Sequence, residues 1–308
     1  MKRWLLSFAV VAVATIACSS GPPAAPPKST ATTSPAQPPR ADSIYFVLVD
    51  RFANGDRAND GETDIEDPHG WHGGDLAGLI QHLDDIADMG FARIWLSPVF
   101  ETRDSKWHDY GAYHGYWTYD LGKVHDRFGT RADLTKLGYE LERRGMSFML
   151  DMVLNHVGYD APLVTQRKDW FHHNGTITDW NDKVQLQTHD VHGLPDLAQE
   201  NPEVFEFLVE RSLGWLELPG LSGFRLDAVK HIGSSFWASY AQRLHATNDE
   251  FELLGEVYTG APAELAHHLR SGFDLVFDFP LHFAMVDVFC KSKSPQALAA
   301  VLSADSVY

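Results

Sequence analysis

Three short apolar runs, each ending in an acid and with helical stretches between them, constrain this chain more than any other feature. Met146-Ser-Phe-Met-Leu runs into Asp151, Gly223-Phe-Arg-Leu runs into Asp227, and Phe251-Glu-Leu-Leu-Gly runs into Glu256. Such runs read as buried strands, and helical connections between them require the strands to be parallel. Parallel strands of this kind deliver their terminal acids to one rim. At 308 residues the chain is long enough for one large α/β barrel domain rather than several small ones. In an eight-stranded parallel barrel the carboxyl-terminal rim is where chemistry is assembled, so acids gathered there read as catalytic.

The acids also differ in their surroundings. Arg225 stands two residues before Asp227 and shares its side of the strand, where a guanidinium keeps the carboxylate ionised. Glu256 follows apolar residues with no cation beside it in sequence, which favours a retained proton. One ionised carboxylate and one protonated acid about 5 Å apart are what a retaining glycosidase requires. The expected roles are therefore Asp227 as nucleophile, Glu256 as acid/base and Arg225 as the cation that keeps Asp227 ionised. Any single Asp-Arg pair reads equally well as a barrel salt bridge; three coordinated segments are what favour chemistry.

Further segments follow in order: Ile44-Tyr-Phe-Val-Leu-Val-Asp50-Arg51-Phe52, Gly90-Phe-Ala-Arg-Ile-Trp95-Leu-Ser-Pro98-Val, Ala112-Tyr-His114-Gly115-Tyr116-Trp117 and Asp151-Met-Val-Leu-Asn155-His156. Together they resemble the alpha-amylase family, glycoside hydrolase family 13, from about Asp42 to the last residue, closest in flavour to bacterial amylases and cyclodextrin glycosyltransferases. The resemblance implies an α/β fold of the (β/α)8 TIM-barrel type and an alpha-1,4-glucan substrate. It implies sugar stacking on Tyr116 in the loop that also holds Trp117, hydroxyl contacts from His114 and His156, and acceptor-side contacts from Lys230, His231 and Tyr258.

It also implies calcium at two places. The first is Asn54, Asp56, Asn59 and Asp60 together with Gly73 and Asp75; the second is Asn155, Asp196 and the carbonyl of His231. Carboxylates, amides and carbonyls are the oxygen donors calcium takes, although a polar turn uses the same residues for backbone reasons. About 45 residues separate the third strand's motif from a helix beginning near Asn201, and a connection that long is usually functional. Trp170, His172, His173 and Trp180 lie in it, and the resemblance implies a small inserted domain at about 156–200. No cysteine or third spaced ligand supports zinc at the paired histidines.

At the amino terminus, Lys2-Arg3 precedes an apolar stretch from Trp4 to Ala17 and then Cys18. This reads as an export signal over 1–18, too short to span a membrane comfortably, and resembles a bacterial lipoprotein site with Cys18 lipidated; plain secretion is the alternative. Residues 19–41, almost entirely Pro, Ala, Ser and Thr, read as an extended tether. A formal net charge of −17 argues against nucleic acid as a partner and is indifferent to neutral glucans. The oligomeric state is not legible.

The carboxyl-terminal part departs from the family pattern. After Phe273-Asp-Leu-Val-Phe277-Asp278, which resembles strand six, two helices are expected and then Tyr308. Residues 42–308 thus read as a barrel truncated after about strand six, lacking the family's third catalytic carboxylate at strand seven. Two readings follow: a retaining glucan hydrolase or transglycosylase, and an inactive remnant acting at most as a glucan-binding surface lipoprotein. Cyclodextrin-forming relatives place a bulky aromatic four residues before the loop's calcium aspartate; His192 stands there, which favours hydrolysis.

Overall fold

The computed structural model describes residues 43–304 and 307–308. The expected signal over 1–18 with Cys18, the tether up to residue 41, and Asp305 lie outside the described residues. Strands β1 (Ile44–Val47) and β2 (Arg93–Leu96) are followed by a two-stranded antiparallel ribbon of β3 (Phe100–Glu101) and β4 (Asp120–Val124), then by β5 (Ser147–Met152), β6 (Leu221–Leu226), β7 (Glu252–Gly255) and β8 (Leu275–Val276). All but the ribbon form one six-stranded sheet in the order β1-β2-β5-β6-β7-β8, with every neighbouring pair parallel. These are six successive strands of a (β/α)8-type barrel. Among the described residues, β1 pairs only with β2 and β8 only with β7.

The helices form where local signals direct them. Thr130 and Asp133 make a reciprocal capping box ahead of helix Arg131–Glu142. Asn201 caps Pro202–Leu213, with proline at its first turn. The apolar spacing over 75–86 is carried by two helices, Leu76–Gln81 and Leu83–Asp88, broken at His82, whose N–H turns back to Leu79 O at 3.0 Å. Leu79 before the break and Leu83 and Ile86 after it are all buried. Tertiary burial keeps the apolar stripe while the backbone departs from one continuous helix.

Strand alternation sorts the sheet's two faces. Phe148, Leu150 and Met152 of β5 join Phe224 and Leu226 of β6 in the large core beneath the helices. Met149, Leu254 and Leu275 face the barrel interior, with Ile44 and Phe277 packed against them. Below this layer Arg93 pairs with Glu252 across the barrel. Above it stand Asp151 and Arg225, partners in the β5–β6 register. The inward column thus passes from an ion pair through an apolar layer to charged groups at the carboxyl-terminal rim.

The long β5–β6 connection is itself structured. Short helices Pro162–Gln166 and Lys183–Thr188, a 3-10 turn at Lys168–Trp170 and isolated bridges such as Phe171↔Leu197 give it an ordered body. Gln199 fastens it to the strand end, its Nε2 donating to Leu154 O at 3.2 Å and Asn155 O at 3.0 Å. Among the described residues no helix is long and apolar enough to cross a membrane.

Candidate active site

Asp227 and Glu256 are each the first residue beyond a strand. Their N–H groups continue the ladder, Asp227 to Met152 O at 3.0 Å and Glu256 to Leu226 O at 2.9 Å. Ala228 then turns left-handed at φ 51°, which aims its N–H at Glu256 Oε2, 3.1 Å away. Arg225 lies beneath both and is only 3% exposed. Its Nη1 donates to Asp227 Oδ1 at 2.8 Å and to Asp151 Oδ1 at 2.7 Å, and its Nη2 lies 3.0 Å from Glu256 Oε2. Sequence proximity assigned this guanidinium to Asp227 and left Glu256 without a cation. In the fold it reaches all three carboxyl groups.

One cation facing three acids leaves room for a proton. Burial pushes the Glu256 carboxyl up; Arg225 opposes the shift, and the charge and hydrogen-bonding carboxyl of Asp227 reinforce it. Asp151 is also pushed up, first by burial and then, against Arg225, by Asp227. Yet donors converge on both Asp151 oxygens: Arg225 on Oδ1, and Trp95 Nε1 at 3.0 Å and Tyr116 OH at 2.9 Å on Oδ2. An oxygen pair receiving donors only is best satisfied as an anion. We therefore place the extra proton on Glu256, at the exposed end of the cluster.

The expected sugar-contact residues gather on the same rim. Tyr116, bonded to Asp151, lies over Arg225 with 5.7 Å between ring centroid and guanidinium carbon. His114 stacks beside it with ring centroids 5.8 Å apart and accepts the Tyr116 N–H on Nδ1 at 3.0 Å. Between them, Gly115 has φ +82°, and a Cβ there would stand 1.9 Å from Pro98 O. His156 bonds Tyr116 O through Nε2 at 3.2 Å. Trp117 packs edge-on to His114 at 4.8 Å and to Tyr159 at 5.0 Å. Burial pushes His114, His156 and His231 each down to about 4, so at neutral pH these imidazoles are uncharged and can both donate and accept. Lys230 Nζ donates to Tyr258 O at 3.2 Å, and the Tyr258 ring is 58% exposed beside Phe279 and Phe283.

The two oxygen-rich sets each hold a buried oxygen without a partner. Asn155 Oδ1 and Asp196 Oδ1 are both buried without a hydrogen-bond partner, while His172 Nδ1 holds the other Asp196 oxygen at 2.6 Å. In the first set Asn59 Oδ1 is likewise buried and unpartnered. Asp75 accepts Gly55, Asp56 and Gly78 N–H groups and the Asn59 amide, so it caps a helix as well as anchoring the loop. Asn54 Nδ2 donates to Asp60 Oδ1 at 2.6 Å, and a Cβ at Gly73 would stand 2.8 Å from both atoms. Both sets present the hard oxygen donors a cation such as calcium takes. Among the described residues no group of three or more His, Cys, Asp or Glu side chains is arranged to hold a metal ion.

Two participants escaped sequence reasoning, and a third was read only as an aromatic of the long loop. Asp151 was seen as a strand-end acid but given no role; the β5–β6 register, which sets it beside Arg225, was the missing signal. Trp95 bonds Asp151 and lies 5.0 Å from the Arg225 guanidinium carbon. Trp180, 45% exposed, stands 5.3 Å from the His192 ring and 6.0 Å from that of His231, placing an aromatic face where His192 alone was expected.

A family model described as "Alpha amylase, catalytic domain" matches residues 46–307. The beta/alpha-amylase of Paenibacillus polymyxa is 35% identical over 280 residues, covering 86% of this chain and 22% of that protein. Alpha-amylase 2 of Schwanniomyces occidentalis is 32% identical, covering 86% of this chain and 54% of its own. The alpha-amylase of Geobacillus thermoleovorans, solved in complex with acarbose, superposes with TM-score 0.77 at 41% identity, covering 85% of this chain and 57% of the other. The chain therefore spans about half the length of most of these relatives, and less of the first.

Because Glu256 is held above its ordinary value in the fold, it binds its proton more tightly folded than unfolded. That stability is fully present below 4.5 and is lost as pH rises through the raised value. Urea titrations across pH should show Glu256→Gln gaining on the wild type as pH increases, with the smallest difference in acid.

Proposed function

The chain belongs to the alpha-amylase catalytic-domain family, and from that premise we propose that it cleaves alpha-1,4-glucosidic bonds with retention of configuration. The observation that carries the reading is the sharing of Arg225 by Asp227 and Glu256. The Asp227 and Glu256 carboxyl groups also stand within hydrogen-bonding reach of each other, closer than the roughly 6.5–9.5 Å that an inverting enzyme needs to seat a water between them. The Asp227 carboxylate attacks the anomeric carbon and forms a glycosyl ester as Glu256 gives its proton to the departing glycosidic oxygen. Glu256, now ionised, takes a proton from water, whose oxygen displaces Asp227 and restores the starting protonation. Arg225 and Asp151 hold the nucleophile, Tyr116 offers a ring face to the pyranose, and the neutral imidazoles of His114 and His156 meet its hydroxyls. Lys230, His231 and Tyr258 line the acceptor side.

Water is the acceptor we favour, on the small polar His192. The Trp180 face beside it supports a second reading, in which a sugar hydroxyl intercepts the same intermediate. Calcium bound by Asn155, Asp196 and the His231 carbonyl would brace the inserted loop against the cleft, and a second ion would be held by Asn54, Asp56, Asn59, Asp60, Gly73 and Asp75. Export with lipid attachment at Cys18 would place the activity outside the cytoplasm, on a membrane.

On maltoheptaose the chain should release shorter maltooligosaccharides, with Glu256→Gln lowering kcat by about 10²–10⁴-fold and changing KM little. Binding without turnover in the wild type would favour the non-catalytic glucan-binding reading. Independently of turnover, a calcium chelator should lower Tm, and added calcium but not magnesium should restore it.

A further inference from the structure

A cavity of about 520 Å³ opens beside Lys230, between the inserted loop and the segments that follow β6 and β7. Lys183, from the inserted loop, and Lys230, from the segment after β6, both line it, and Glu264 is the acid among its lining residues. None of these three makes an ion pair among the described residues, so the lining carries two cations against one anion in a chain whose formal net charge is −17. Ser234 and Ala263, also in the wall, belong to the first turns of helices Ser234–His245 and Pro262–Arg270. Neither helix start has a side-chain cap. First-turn N–H groups without intrahelical partners, together with the positive end of the helix dipole, favour an anion. His268 lines the same cavity; it is 6% exposed, and its buried Nδ1 has no hydrogen-bond partner.

We propose that this cavity binds a tetrahedral oxyanion of the phosphate class between Lys183 and Lys230, over the starts of the two helices. Its placement on the acceptor side rests on the glycosidase reading; its chemistry does not. The cavity begins at Lys230, three residues beyond Asp227, so the anion is held on the leaving-group side of the cleft. Two sources share this chemistry, free phosphate and a phosphate ester carried on a sugar. Glu264 marks the limit on affinity, because its carboxylate repels the same ligand.

The test is titration of the intact chain, by calorimetry at fixed ionic strength, with inorganic phosphate and with glucose 6-phosphate, and with glucose as the uncharged control. Saturable phosphate binding is expected, weakened at least tenfold by Lys183→Gln and tightened by Glu264→Gln, with glucose silent at the same concentration. Lys183 is an exposed helix residue, so loss of folding does not confuse the result. Glucose 6-phosphate binding at least tenfold tighter than phosphate identifies a sugar ester as the source; equal affinities identify the free anion. No saturable binding, or binding unchanged by Lys183→Gln, overturns the proposal. Binding is read without turnover and activity on maltoheptaose is read separately, so an inactive chain that binds phosphate refutes the glycosidase reading alone, and an active chain that does not refutes this one alone.

Discussion

One buried guanidinium organises this rim. A charge removed from water must be paired and hydrogen-bonded, and leaving one partner of a buried pair alone typically costs about 3–5 kcal/mol. Arg225 meets that demand with carboxyl groups delivered by three neighbouring strands: Asp151 on β5, Asp227 just beyond β6 and Glu256 just beyond β7. The arrangement requires the strands to be parallel, adjacent and in register, because a slip of one residue would turn each acid to the helix-covered face. The electrostatics of the site and the topology of the sheet therefore constrain each other.

The same charge balance distributes roles among the acids. Asp151 is saturated with donors from Trp95, Tyr116 and Arg225 and is sealed beneath the others, so it acts as a counter-ion. Glu256 is the carboxyl group whose burial and proximity to Asp227 favour a retained proton, and it faces the cleft. Around this charged centre the histidines are held neutral by burial, which suits them to hydroxyl groups rather than to anions. Local cationic character appears instead at the far side of Lys230, where two lysines face one glutamate.

Much of this was legible in the chain. Asp227, Glu256 and Arg225 were found because alternation along a strand and position at its end are local properties, and the ordered segments containing His114, Tyr116 and His156 carried the family resemblance. What was hidden depends on contacts distant in sequence. The reach of Arg225 to Glu256, the Trp95 bond to Asp151 across 56 positions and the Gln199 clasp on the strand end across 44 and 45 are set by tertiary packing. Likewise, nothing local to His192 announces that Trp180 stands beside it, because the inserted loop folds back on itself. The helix break at His82 is hidden from sequence for a related reason: apolar spacing reports which side is buried, not whether the backbone is continuous.

The central claim is that Asp227 becomes covalently bonded to sugar while Glu256 manages the proton. It is tested most directly by incubating the chain with a 5-fluoro-alpha-glucosyl fluoride, which slows release of the intermediate, and mapping the adduct by peptide mass spectrometry. The account predicts one added glycosyl mass on the peptide containing Asp227, absent in Asp227→Asn. Labelling of the Glu256 peptide instead would contradict the assignment of roles, and hydrolysis of a glucoside with inverted product configuration would contradict the covalent mechanism itself.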